Sequence, residues 1–100
     1  MSVVDPDAPG ATDVELEGDI DVTNAGAIAD RLCELASSQP AVVVGCSRVT
    51  FVESRGLAMM ARVQRFAEEA GCQLTWRELP LHVHRTLHVS GLDDYLRIEA

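Results

Sequence analysis

A chain of 100 residues, 47% apolar and with only four aromatics, holds enough material for one modest aliphatic core, and so for one domain. The formal net charge is −8, all eight basic residues are arginine, and residues 1–30 carry eight carboxylates and no cation. That balance argues against a nucleic-acid backbone or an anionic membrane as partner.

Residues 1–12, with two prolines and a glycine, read as a flexible lead-in in which Val3-Val4 offers a short edge strand. Residues 13–17 alternate polar and apolar, the period of a half-exposed strand, and Gly18-Asp19 breaks it. Thr23 or Asn24 is placed to cap the next helix, whose apolar stripe is Ala25, Ile28, Ala29, Leu32, Cys33, Leu35 and Ala36. Residues 37–40 end it. The β-branched run 41–44 suits a strand buried on both faces. A turn over 45–48 and a short apolar step over 49–52 follow.

From Ser54 the period becomes helical, with Leu57, Met60, Ala61, Gln64 and Ala67 on one face and Gly71 as the stop. Residues 73–76 form the next strand. Pro80 opens a third helix with Val83 and Leu87 inward, and Gly91 closes it. A short helix over 93–96 and an extended Ile98 complete the chain. Strands alternating with helices predict a small α/β domain with parallel strands.

Cys33, Cys46 and Cys72 are an odd, scattered set without metal spacing, and they read as small core residues in a reducing cytosol. No apolar run approaches the roughly 18 residues of a membrane span, and the acidic start is unlike a signal peptide. The expectation is a cytoplasmic protein with no direct membrane insertion.

The segment FVESRGL, 51–57, poses the main chemical question. Ser54 as a nucleophile would need a small residue two positions earlier, where Val52 stands, and a base oriented by a third group. His82, His84 and His88 are not tied to it. The plainer reading makes Ser54 an N-cap, without the capping-box glutamate, because Leu57 occupies that place. His84 and His88 stand four apart, but nothing demands a metal, and exposed helix-face histidines are the simpler account. Arg48, Arg55, Arg62 and Arg65 either form a patch for a partner's carboxylate or pair with nearby acids. Gly18 to Asp21 is either an acidic turn before a helix or a cation site. No phosphate-binding glycine motif is present, and no cofactor is implied.

Three segments resemble the STAS domains, and among them the bacterial anti-sigma factor antagonists. EGDIDVTNAGAIADRL is similar to the family's G-[DE]-[LI]-D and following helix. VTFVESRGLAMM resembles the signature apolar-x-[FY]-apolar-D-S-[ST]-G-L. VHRTLHVSGLDDYLRI is similar to the closing helix and its turn. The resemblance implies a STAS domain over 13–100. Its fold would be a mixed, mostly parallel sheet of about four to five strands with helices packed on one side.

It also implies a non-enzymatic partner switch in bacterial transcription regulation. The domain would bind an anti-sigma factor serine kinase with a histidine-kinase-like ATPase fold while Ser54 is unphosphorylated. It would let go when the kinase phosphorylates Ser54, and a phosphatase would reset it. ATP would belong to the kinase. Asp21, Thr23, Glu53, Ser54, Arg55, Gly56 and Leu57 would form the contact surface, and a weak homodimer is compatible with it.

The chain differs from the family pattern in Glu53 for aspartate, Gly45 for Asp or Asn, and Arg55 for Ser or Thr. Arg55 is the feature that favours an alternative: an unswitched STAS scaffold or accessory subunit of an ABC lipid transporter or signalling assembly. A small hydrolase using Ser54 is the third reading.

Overall fold

The computed structural model describes residues 2–4 and 11–99. Five strands form one sheet in the order β1-β2-β3-β4-β5, with β1 (Ser2–Val4), β2 (Ala11–Ile20), β3 (Ala41–Val52), β4 (Gln73–Arg77) and β5 (Ile98–Glu99). β1 is antiparallel to β2, and the remaining neighbours are parallel, joined through α1 (Ala25–Ser38), α2 (Ser54–Glu69) and α3 (Leu81–Val89). The parallel strands expected from the alternation are therefore present, and the antiparallel β1 makes the sheet mixed, as the resemblance to STAS domains implies. Val3 and Val4 lie in an edge strand; of the lead-in read over 1–12, residues 5–10 fall outside the described residues, while Ala11 and Thr12 are not loose but begin β2.

Burial alternates along the central strands. Val14 and Leu16, Val42 and Val44, and Leu74 and Trp76 are buried, while Asp13, Glu15, Val43, Thr75 and Arg77 are half-exposed. β3 is thus not covered on both faces as its apolar run predicts. Ala41 and Val43 point to the face where Arg77 pairs with Asp13 at 3.4 Å. The covered face meets Ala29, Leu32 and Ala36 of α1, Met59, Met60, Val63 and Ala67 of α2, and Val83 and Leu87 of α3 in one core. Cys46 and Cys72 belong to it and Cys33 packs against it; all three are free thiols. Burial, then the Glu15 and Glu78 carboxylates, push the Cys46 thiol up to about 12, so it is an inert packing group.

The largest departure from the sequence reading lies in β3. The expected turn at 45–48 is absent, and the strand runs on for 12 residues against the 10 of β2. Two bulges absorb the difference. Glu15 and Glu17 face Gly45 and Arg48, and Gly18 and Asp19 face Val49 and Phe51, so both extra residues sit in β3. A glycine and a serine near a bulge carry the same local signal as a turn, and only pairing with β2 separates the two.

The helix stops follow the sequence. Gly71, at φ +77, donates to Glu68 O while Cys72 N donates to Ala67 O, and Gly91, Leu92, His88 and Leu87 repeat the arrangement after α3. Both are left-handed caps that satisfy carbonyls orphaned at a helix end. Pro80 is the N-cap of α3 rather than its first helical residue. The expected helix over 93–96 is a single turn, closed by Tyr95 N and Leu96 N on Leu92 O.

One buried polar group ties α2 to the sheet. Gln64 Oε1 accepts from Trp76 Nε1 at 2.8 Å and from Arg97 N at 3.1 Å, and its Nε2 donates to Leu74 O at 3.2 Å. Every polar atom of this side chain has a partner, which is the condition under which a buried amide stabilises.

Candidate functional site at the carboxyl ends of β2 and β3

The two longest strands end side by side. Ile20 faces Val52, and Glu53 N donates to Ile20 O at 2.9 Å, so the loop before α1 and the first turn of α2 share one rim. Gly56 allows this approach. A Cβ there would stand 2.6 Å from Val52 Cγ1 and 2.9 Å from Ile20 Cγ2, closer than packed carbons tolerate.

Ser54 is exposed and is the first helical residue of α2. The N-cap is Glu53, whose extended backbone carbonyl accepts from Leu57 N at 3.0 Å. This corrects the expectation that Ser54 caps the helix. No side chain caps α2, and Ser54 Oγ makes no hydrogen bond among the described residues. The hydroxyl is therefore free, beside amides and a macrodipole that favour negative charge. No histidine reaches it. His82 Nε2 lies 2.7 Å from Thr50 O, and His88 Nδ1 lies 2.7 Å from Asp93 Oδ2.

Asp21 organises the other side of the rim. Its carboxylate accepts from the Thr23 hydroxyl and from Thr23 N at 2.9 Å, and these bonds, led by the hydroxyl, hold its carboxyl below the usual range. Asn24 stands at the N-cap of α1, but its side chain turns backwards. Its Oδ1 accepts from Asp21 N at 2.9 Å and its Nδ2 donates to Asp19 O at 2.7 Å. The expected cap is thus spent on fixing the loop. Asp19 accepts from the Thr50 hydroxyl, so the two acids have separate partners and do not converge. Among the described residues no group of three or more His, Cys, Asp or Glu side chains could hold a metal ion.

Of the expected contact residues, Thr23, Glu53, Ser54 and Arg55 are exposed, and Asp21 and Leu57 are half-exposed. Gly56 is the exception: it is buried and serves the rim by packing rather than by touching a partner. A hollow of about 470 Å³ is lined by Phe51, Val52, Glu53, Ser54, Arg55, Leu57 and, from α3, Thr86.

Sequence reasoning missed Phe51 and Val22, which are 52% and 65% exposed at this rim. Phe51 reads as core because it sits in an apolar step. The bulge opposite Gly18 and Asp19 turns both Thr50 and Phe51 outward, and no sequence period announces it. The four arginines divide. Arg48 pairs with Glu17 and Arg65 with Glu69 on the solvated surface, whereas Arg55 and Arg62 have no ion pair among the described residues.

No helix among the described residues is long and apolar enough to cross a membrane. Among curated proteins, none matches the chain. Solved structures do. An anti-sigma factor antagonist from Mycobacterium paratuberculosis is 27% identical, with 97% of this chain and 83% of that one covered at a TM-score of 0.77. The anti-sigma factor antagonist SpoIIAA in its unphosphorylated form shares the fold at 14% identity and a TM-score of 0.77, covering 99% and 87%. The STAS domain of a SulP transporter from Vibrio cholerae does so at 12% identity and 0.72, covering 91% and 73%. A profile of the family described as Mlab, STAS domain, matches residues 4–98. With nearly its whole length matched, the chain belongs to the STAS domain family.

Proposed function

We propose that this protein is an anti-sigma factor antagonist of the partner-switching kind, with Ser54 as the phosphoacceptor. The observation that carries the reading is the uncommitted, exposed Ser54 hydroxyl at the start of α2, set in a rim with apolar groups and carboxylates. Phe51 and Val22 are exposed enough to anchor a partner, and Glu53 and Asp21 supply charge. The neighbours described as anti-sigma factor antagonists support a protein partner of the same class. One relative, the Bacillus cell fate determinant SpoIIAA, has also been solved in a phosphorylated form.

In the switch, Ser54 Oγ attacks the terminal phosphorus of ATP held by the partner kinase. The Oγ–P bond forms, the P–O bond to ADP breaks, and the hydroxyl proton passes to a base of the kinase. The product adds about −1.5 to −2 charges beside Glu53. The fold accepts them, since they lie at a helix N-terminus. A partner surface fitted to a neutral hydroxyl does not, because like charge across an interface costs several kcal/mol, or roughly a hundredfold in affinity. Release therefore needs no refolding of the domain, and a phosphatase restores binding. Mixing the purified protein with its companion kinase and ATP adds one phosphate to the wild type and none to folded Ser54→Ala. Labelling that persists in the variant removes the assignment.

A second reading is supported by Arg55 and by the SulP transporter STAS domain among the neighbours: an unswitched STAS scaffold or accessory subunit. Arg55 sits next to Ser54, where a guanidinium neutralises part of a phosphate's charge. Recovery of an ABC ATPase instead of a kinase with the native protein decides for it.

A further inference from the structure

We infer that the groove between α1 and α2 receives an acidic amphipathic helix of the partner, gripped at both ends by Arg55 and Arg62. The groove is about 290 Å³ and is lined by Val22, Ala25, Gly26, Ala29, Ala58 and Met59, with the two arginines on its α2 side. Its floor is apolar, and its small side chains let another helix come close.

The two arginines are seven residues apart in α2, so they share a face about 10 Å apart. Both are exposed, and neither has a carboxylate within ion-pair distance among the described residues, although the chain carries sixteen acids and eight arginines. Two unpaired guanidiniums beside an apolar trough complement a helix whose apolar stripe is flanked by two carboxylates at the same spacing. Arg fork geometry favours carboxylates, and the net charge of −8 disfavours a dense polyanion such as nucleic acid. Arg55 also lines the hollow around Ser54, so the groove and the serine belong to one continuous face. The inference rests on the reading of this face as a partner-docking surface, but not on phosphorylation of Ser54.

Gly26 offers a clean probe. A Cβ built on it meets nothing within 4 Å, so this position lining the groove is open to a side chain, and folding of the variant is checked by its own spectrum. The test uses a synthetic amphipathic helix with two glutamates spaced as Arg55 and Arg62 are, and a counterpart with lysines in their place.

In amide NMR spectra of the full chain, the diglutamate helix is expected to shift Val22, Gly26, Ala29, Ala58 and Met59. Arg62→Glu is expected to weaken it tenfold or more while the dilysine helix gains affinity for that variant, and Gly26→Leu is expected to block the groove with folding intact. Failure to bind, shifts confined elsewhere, or equal affinity of both helices for wild type and Arg62→Glu overturns the proposal. Ser54→Ala separates the two readings, since it leaves the diglutamate helix bound. Binding with no kinase labelling of Ser54 removes the switch and keeps the groove; labelling without helix binding does the reverse.

Discussion

The amide of Glu53 donates to the carbonyl of Ile20 at 2.9 Å, and this bond continues the β2–β3 pairing into the first turn of α2. It brings the Asp21 loop and the Ser54 hydroxyl to the same rim, and it depends on Gly56 packing against both strand ends.

Gly56→Ala should therefore destabilise the domain. Alanine gains roughly 1 kcal/mol of helix propensity over glycine, but its Cβ falls 2.6 Å from Val52 Cγ1 and 3.1 Å from Ile20 O, and the backbone oxygen cannot step aside. The expected net loss is about 1–3 kcal/mol in urea unfolding. An unchanged midpoint would mean that α2 is not held against Ile20 as described.

Gln64→Leu keeps the volume and deletes the polar bridge. Trp76 Nε1 and Arg97 N lose their acceptor and Leu74 O loses its side-chain donor. A buried group left without a partner costs about 1–3 kcal/mol, so the expected total is about 2–4 kcal/mol. Trp76 is the sole tryptophan, and its fluorescence reports the unfolding midpoint directly.

Gly45 has a neighbour that explains its size. The Glu15 carboxyl group occupies the space a side chain would fill, with Glu15 Cδ 2.7 Å from the place of a Cβ, and Glu15 Oε2 is buried without a partner. Gly45→Ala should cost under about 1 kcal/mol, because the end of the Glu15 side chain can swing towards the open face. Gly45→Asp should cost about 1–3 kcal/mol by bringing two carboxylates together. Adding Glu15→Gln should restore at least half of that loss in the same unfolding assay.

The His88–Asp93 pair makes stability depend on pH in two directions. The Asp93 hydrogen bond raises the His88 pKa above its usual 6.5, so its contribution is fully present below 6.5 and is lost as pH rises through the raised value. The His88 bond lowers the Asp93 pKa below its usual 3.8, so that contribution is present above 3.8 and is lost as pH falls through the lowered value. The melting temperature of wild type should exceed that of His88→Gln between these limits, and the two should converge at alkaline pH. NMR titration should give His88 a midpoint above 6.5.

The parts legible in the sequence are those set by local chemistry. Gly71 and Gly91 stop helices because only glycine takes a positive φ freely, and the stripes of α1 and α2 follow from their period. The parts that were not legible depend on distant partners. The bulges in β3 exist only against β2, and they turn Phe51 outward. Gln64 reads as a helix-face residue until Trp76, twelve positions on, meets its oxygen. Asn24 reads as a cap, yet two backbone groups of the preceding loop compete for it and win. Ser54 reads as a cap from its place at the start of a helical period, yet its hydroxyl does not serve the helix, and Glu53 supplies the N-cap carbonyl.

The most direct test isolates the native protein in two pools, one bound to its companion and one free, and measures phosphate on Ser54 in each by mass spectrometry. Ser54 is expected to be unmodified in the bound pool and phosphorylated in the free pool. Equal occupancy in both pools, or no phosphate on Ser54 in either, would contradict it.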